Sequence, residues 1–289
     1  MTAAGTLYLV ATPIGNLEDI THRALRTLAE VDLIACEDTR RTGTLLERYR
    51  VKSKMISYHE HNEHERAAEL VGRLQTGTSI ALVTDAGTPG ISDPGYRLVR
   101  LCIESEIKVV PLPGAAAFVL ALTASGLPTD TFFFGGFLPA RANTRRTRLA
   151  DLRTLPATLI FYEAPHRIHH ALSDAREILG EREATVAREL TKLHEEFRRG
   201  RLSDLAAHFA HEEHRRGEMI LLIDRTILET DLAVTKNESV LARVNALEAQ
   251  GHDSRQALRQ AARELKLPRA EAYRRLIAER QSLRKENDA

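Results

Sequence analysis

The stretch Ile80-Ala81-Leu82-Val83-Thr84-Asp85-Ala86-Gly87-Thr88-Pro89-Gly90-Ile91-Ser92-Asp93-Pro94-Gly95 decides the fold. Its first five residues are apolar and β-prone, which predicts a buried strand. The Gly/Pro-rich remainder cannot continue either regular structure, and Tyr96 to Glu104 resumes with helical spacing. Strand, long loop and helix in that order are the unit of a parallel α/β sheet. The same order recurs on both sides. Leu7 to Ala11 reads as a strand, Thr12-Pro13-Ile14-Gly15-Asn16 as a turn, and Asp19 to Glu30 as a helix. Val31 to Cys36 predicts the next strand, ending on Glu37-Asp38-Thr39-Arg40-Arg41, and Glu65 to Gln75 an amphipathic helix. Val109 to Leu112 predicts a strand that runs into Pro113-Gly114, followed by a helix over Ala115 to Ala124. In a parallel sheet such loops gather at the carboxyl edge, where ligands bind. Several Gly/Pro loops on one edge therefore predict a pocket rather than a set of ordinary turns.

Beyond Gly126-Leu127-Pro128 the rhythm changes. Phe132 to Phe137, Leu159 to Tyr162, Ala184 to Val186 and Met219 to Ile223 read as strands, with a helix over His166 to Leu179. Thr226 to Asn237 reads as a linker. Val240 to Gln250, Ser254 to Leu265 and Arg269 to Glu279 read as three short helices resembling a helix-turn-helix. Nucleic-acid binding and a simple packing bundle both fit that pattern. The resulting expectation is α/β, with domains over 1–122 and 123–228 and an all-α unit over 236–289.

Hydrophobic residues at 43% fill real cores, and the net charge of +1 gives no signature for the whole chain. Its distribution says more. Residues 235–289 carry twelve Lys/Arg against eight Asp/Glu, and Arg141, Arg145, Arg146, Arg148 and Arg153 cluster around Asp151 alone. Uneven charge of this kind suits a polyanion, although solvated helix faces produce it too. Cys36 and Cys102 are too few for a disulfide framework or a thiolate zinc site, and both sit in apolar runs. No apolar run is long enough for a membrane span, and Met1 to Val10 lacks the marks of a secretory signal, so a cytoplasmic protein is expected. His59-Glu60-His61-Asn62-Glu63-His64 matches no standard zinc spacing and reads as a solvated loop; no metal is expected. A phosphate-binding Walker loop, a dinucleotide G-x-G-x-x-G and a serine nucleophile elbow are all missing from the sequence.

Several long motifs, in order, carry a resemblance. They are Leu9-Val10-Ala11-Thr12-Pro13-Ile14-Gly15-Asn16-Leu17-Glu18-Asp19-Ile20, Glu37 to Arg40, Asp85 to Gly95, and Pro111-Leu112-Pro113-Gly114. Phe161-Tyr162-Glu163-Ala164-Pro165-His166-Arg167, Ala187 to Lys192 and Gly217-Glu218-Met219 continue them. Together they closely resemble the ribosomal RNA small subunit methyltransferase I family, within the tetrapyrrole methylase superfamily, from about residue 6 to residue 225.

The resemblance implies two α/β domains of tetrapyrrole-methylase type with a cofactor cleft between them, plus a small all-α C-terminal domain. It implies S-adenosylmethionine as cofactor, 2′-O-methylation of a cytidine ribose in the decoding region of 16S rRNA or of the small ribosomal subunit, and a homodimer. It places the cofactor near Pro13, Asp85, Gly87, Thr88, Pro89, Ser92, Asp93, Pro113, Gly114 and Ala115, with Tyr162, Leu190 and Met219 closing from the second domain. Ala164 departs from relatives that often carry a hydroxyl there, which removes one side-chain contact.

A sulfonium is a cation, so carbonyls and carboxylates suit it better than lysines do. Transfer is an in-line displacement in which positioning supplies much of the rate. A base near the ribose hydroxyl helps; Asp85, Glu163, Glu189 and His166 are the candidates, beside a purely positional mechanism with water taking the proton. Arg40, Arg141, Arg145, Arg146, Arg148 and Arg274 are the candidate RNA contacts, the arginine-rich segment as a mobile loop that orders on the ribosome. For Arg40 an N-cap and salt-bridge role beside Asp38 is the equal alternative. Phe132, Phe133, Phe134 and Phe137 read as core. A small-molecule tetrapyrrole methylase and a non-enzymatic RNA-binding assembly factor remain the competing functions. The arginine-rich stretch and helical tail speak against the first, the cofactor-type loops against the second.

Overall fold

The structure, a computed structural model, describes residues 4–225, 239–265, 267, 271–277 and 279. It divides into two units, residues 1–226 and 227–289.

The first unit holds two five-stranded sheets. In the N-terminal lobe the strands are β1 (Thr6–Leu9), β2 (Leu33–Cys36), β3 (Met55–Ser57), β4 (Ile80–Leu82) and β5 (Lys108–Pro111). They run parallel in the order β3-β2-β4-β1-β5. Every residue of β2 and β4 is buried, as expected of central parallel strands covered on both faces. Helices α1 (His22–Glu30), α2 (Thr39–Arg48), α3 (Glu63–Gln75) and α4 (Tyr96–Glu104) supply the cover. One core joins Leu7, Ile80 and Leu82 to Leu70, Leu74 and Leu98. On the other face, Val10, Ile34 and Val83 meet Leu28 and Leu46. Because all the strands run one way, the loops after β1, β2, β4 and β5 emerge on one edge.

Helix α5 (Ala117–Ser125) follows β5 and packs on the second sheet, not the first. Its Ala121 and Leu122 sit against Ile160, Ala187, Ile220 and Leu222, so the helix that spans the expected boundary at residues 122–123 serves the second lobe. That lobe contains β6 (Phe132–Phe137), β7 (Thr158–Glu163), β8 (Glu183–Arg188), β9 (Glu196–Arg201) and β10 (Met219–Ile223). Their order is β6-β7-β10-β8-β9, and β10 runs antiparallel to both of its neighbours. Helices α6 (Ala142–Asp151), α7 (Ile168–Leu179) and α8 (Leu202–His208) cover the other face around Phe161, Leu172 and Phe209.

The arginine-rich segment is helix α6, not a mobile loop. Arg145 is buried against the equally buried Asp174 of α7 at 2.6 Å and donates to the Pro139 and Ala140 carbonyls. That network pins the helix to α7. The phenylalanines of β6 also depart from expectation. Phe133 and Phe134 pack inward on opposite faces, whereas Phe132 at the start of this edge strand and Phe137, beyond a register shift after Phe134, are exposed.

In the second unit, α9 (Val240–Ala249), α10 (Ser254–Glu264) and a helical stretch over 271–277 close around Val244, Leu247, Ala257, Ala261 and Leu276. Ser239 and Asp253 cap α9 and α10 with side-chain oxygens. The linker expected over 226–237, Lys266 and Pro268 of the expected break, and Arg269 at the start of the expected third helix lie outside the described residues.

Candidate active site

Three loops of the N-terminal edge are stitched to one another. Thr12 and Gly87 exchange backbone hydrogen bonds of 2.9 and 3.0 Å, and the Thr12 hydroxyl donates to the Thr84 carbonyl at 3.0 Å. Gly87 does this at φ +85°, a left-handed conformation that glycine adopts without strain. The Thr88 hydroxyl donates to the Ala115 carbonyl at 3.0 Å and ties in the loop after β5. From the second lobe, the Thr191 hydroxyl accepts the Asn16 N–H at 3.0 Å. A Cβ on Gly15 would lie 2.5 Å from Lys192 Cγ and 3.1 Å from the Leu190 carbonyl, so the lobes close on a residue without a side chain.

Between these contacts lies a cavity of about 410 Å³, within the ordinary range for small-molecule sites. The first lobe lines it with Ile14, Gly87, Thr88, Ser92 and Asp93, and the second with Phe137, Tyr162, Glu163, Leu190, Glu218 and Met219. Tyr162 stands edge-on to Phe134 and Phe137, with ring centres 5.0 and 5.5 Å apart, and burial pushes its phenol pKa up. The Asp93 and Glu218 side chains and the enclosed Glu163 belong to its lining, which includes no lysine or arginine. Glu163 is fully buried. Its Oε1 accepts from Arg167 at 2.5 Å and from the Ala164 N–H at 2.8 Å, while Oε2 has no partner. An aromatic wall that carries Asp93 and Glu218 and no basic side chain fits a compact organic cation better than an anion.

Ser92 and Asp93 also wall a second, more open cavity of about 630 Å³, with Tyr96, Arg97 and Arg100 beyond them. Burial pushes the Asp93 carboxyl up to about 6, the neighbouring charges of Glu37 and Asp85 push the same way, and the Thr84 hydroxyl opposes them.

Of the remaining candidates, Asp85 sits below the cavity rather than on its wall. It accepts the Asp38 N–H at 3.1 Å and faces Arg41 at 3.4 Å, and burial raises its pKa. Glu189 turns away to Lys192 at 2.9 Å and the Glu218 N–H at 2.9 Å, and its pKa is lowered chiefly by the lysine. Pro13, Pro89, Pro113, Gly114, Ala115 and His166 do not line the cavity, whereas Ala116, Ala117 and Phe118 do. The raised pKa of Asp93 escapes sequence reasoning, because nothing local distinguishes it from Asp85. The signal lies in the fold, where Glu37 and Asp85 surround it.

The arginines separate too. Asp38 N-caps α2 and pairs with Arg40 at 2.7 Å, which holds the Asp38 carboxyl down at about 2, while Arg40 stays exposed. Arg145 cannot reach a phosphate, being buried with Asp174. Arg146 pairs with Asp174 and Glu177, and Arg148 lies over the Phe133 ring at 5.3 Å. Arg141 is exposed, and Arg274 pairs with Glu271 at 2.9 Å.

Residues 6–206 match the family model for tetrapyrrole (corrin/porphyrin) methylases. The ribosomal RNA small subunit methyltransferase I of Synechocystis sp. is 51% identical over 270 residues, 93% of this chain and 96% of that protein. Its counterpart from Halalkalibacterium halodurans is 48% identical over 271 residues, 93% of each chain. Among solved structures, the uroporphyrin-III C-methyltransferase of Thermus thermophilus complexed with S-adenosyl homocysteine superposes with a TM-score of 0.52 at 19% identity, over 75% of this chain and 97% of that one.

Proposed function

The chain belongs to the tetrapyrrole methylase family, among the ribosomal RNA small subunit methyltransferases I, and on that premise we propose that it moves a methyl group from S-adenosylmethionine to a cytidine ribose 2′-hydroxyl of 16S rRNA. The observation that carries the reading is the wall between the lobes, where Asp93 and Glu218 join aromatic rings in a lining that holds no basic side chain.

When bound, the cofactor supplies an electrophilic methyl on a positive sulfur. The protein's part is to hold, orient and exclude. Thr88, Gly87 and the Ala116–Phe118 turn supply backbone and hydroxyl groups from loops that are already fixed to one another, so little ordering is needed on binding. Glu163 is enclosed and paired with Arg167 and the Ala164 N–H, so it fixes the chain after β7, whose Tyr162 faces the cavity, rather than touching the cofactor. Phe137 and Tyr162 keep water from one side of the cavity, which strengthens these interactions.

Asp93 faces both cavities, so an acceptor entering through the more open one meets it at the wall they share. A carboxylate raised to about 6 is a better proton acceptor near neutral pH than an ordinary aspartate. In this reading Asp85 and Glu189 are positioning residues: the first adds to the charge around Asp93, and the second holds the turn bearing Glu218. A homodimer and a cytoplasmic address complete the proposal.

The test maps 2′-O-methylation across small-subunit RNA with and without the protein, alongside calorimetry with S-adenosylmethionine. One new ribose methyl in the decoding region, together with measurable binding heat, is expected. Binding heat with an unchanged methylation map overturns the RNA substrate and leaves a methylase of small molecules. No binding heat overturns the enzyme reading as a whole.

A further inference from the structure

The C-terminal unit sorts its charges in a telling way. Every described carboxylate between residues 239 and 279 already has an internal partner. Glu248 accepts the Ser254 hydroxyl, and Asp253 caps α10 through the Arg255 and Gln256 N–H groups. Glu264 pairs with Arg243, Glu271 with Arg274 and Arg275, and Glu279 accepts from the Ser239 hydroxyl and the Leu241 N–H. Arg255, Arg259 and Arg263 are left without a carboxylate partner among the described residues, and all three are exposed on α10.

Their spacing of four residues puts them about 6 Å apart along one side of the helix. Like charges at that spacing repel one another. Arg255 also stands in the first turn, where the helix dipole disfavours a cation, and the one carboxylate at that end, Asp253, is engaged by the Arg255 and Gln256 N–H groups. The row therefore lowers the stability of its own helix, a cost that a bound anion would offset. The exposed neighbours on this helix are Ser254, Gln256, Gln260 and Glu264, all polar. A protein interface generally needs apolar or aromatic anchors at its centre, and this face has none; nucleic-acid interfaces are polar and cationic.

We infer that the Arg255–Arg259–Arg263 face of α10 docks the phosphate backbone of the RNA substrate. The inference rests on the proposed rRNA reading and moves the contact from Arg274, which Glu271 already engages, to the adjacent helix. Such contacts position the duplex or strand without reading its bases. The α10 strip and the methyl-transfer cleft would then act on one RNA as separate contacts.

The experiment compares the full-length chain with its R255Q/R259Q/R263Q variant. Both bind small-subunit rRNA transcribed in vitro, at salt concentrations from 50 to 200 mM. Each lost phosphate contact removes about 0.7–0.9 from the slope of log affinity against log salt. The variant is expected to show a slope shallower by about two to three, so that across this range the unaltered protein loses about thirty-fold more affinity. Calorimetry with S-adenosylmethionine and the circular dichroism of the variant are expected to stay unchanged. Equal slopes overturn the inference. So does a loss of helix, which would make the row structural. An unchanged slope on naked RNA with weaker binding to intact small subunits overturns it in favour of an acidic protein partner. If the unaltered chain itself fails to methylate, the proposed function falls instead, and the salt slopes still decide the docking face.

Discussion

Replacing Asp93 with asparagine separates what this residue does for chemistry from what it costs the fold. In the folded protein its carboxyl is pushed up to about 6 from the ordinary value of 3.8, mainly by burial. The folded state therefore holds the proton over a pH window in which the unfolded chain has lost it. The sign follows from linkage: stability falls as pH rises from about 4 through about 6, and above that the whole cost of the buried charge is carried. Two units correspond to about 3 kcal/mol, at about 1.4 kcal/mol each, as an upper bound. The group is half-exposed, so solvent screening reduces this to about 1 kcal/mol. Asp93→Asn is expected to unfold about 1 kcal/mol less readily at pH 7.5 and to lose that advantage near pH 4. Activity moves the other way. With Asp93 as proton acceptor, single-turnover methyl transfer by the unaltered protein falls about tenfold per pH unit below about 6, and the asparagine variant is about 10²–10⁴-fold slower with no such limb. The assay follows radiolabelled methyl from S-adenosylmethionine into small-subunit RNA between pH 5 and 8, with urea unfolding over the same range. A variant that keeps both the limb and a rate within twofold refutes the role of Asp93. A variant less stable at pH 7.5 refutes the burial account.

Glu218→Gln removes a negative charge from the cavity lining while nearly preserving shape, so affinity for the sulfonium cofactor should fall about two- to fivefold and affinity for its neutral product, S-adenosylhomocysteine, much less. Calorimetry with both ligands reads the difference, and equal losses would contradict the charge argument. Gly15→Ala places a Cβ 2.5 Å from Lys192 Cγ and 2.9 Å from the Thr191 hydroxyl; it should cost about 1–3 kcal/mol and raise the KM for the cofactor as the lobes part. Unchanged melting and KM would show that Lys192 simply swings aside. Arg145→Ala breaks a buried pair and orphans two carbonyls but leaves Asp174 its Arg146 partner, for a loss of about 1–3 kcal/mol in urea unfolding, while the salt dependence of RNA binding stays as it was. A shallower salt slope instead would return Arg145 to the RNA-binding surface.

How much of this was legible in the sequence depends on whether a residue acts through its backbone or through a distant partner. Turns are local. The Thr12–Asn16 and Asp85–Gly95 loops announce themselves through glycine and proline, and helix α4 has its expected ends because Gly95 precedes it and its apolar spacing is regular. Helix α2 escaped because Gly43 and a run of polar residues blur its period, yet Leu46 and Thr42 bury well enough to hold it. Strand β9 escaped for a different reason. Glu196-Phe197-Arg198-Arg199-Gly200-Arg201 reads as a polar loop, and what makes it a strand is its pairing along the whole length of β8, a tertiary choice that outweighs propensity.

The same division runs through the site. Which arginine of α6 would be buried depended on Asp174, nearly thirty positions away, and on how α6 lies across α7. Arg145 and Arg146 are neighbours with one composition, yet one is buried structure and the other sits at the rim. Asp85 and Asp93 show the division most clearly. They lie on one loop, and of the two only Asp85, which directly follows the strand, stands among the candidate bases in the sequence. The chain instead folds Asp85 under the loop to receive the Asp38 N–H and leaves Asp93 on the wall of both cavities. A residue's charge can be read from the sequence, but whether that charge meets a ligand or a neighbouring helix is settled by groups that only the fold brings together.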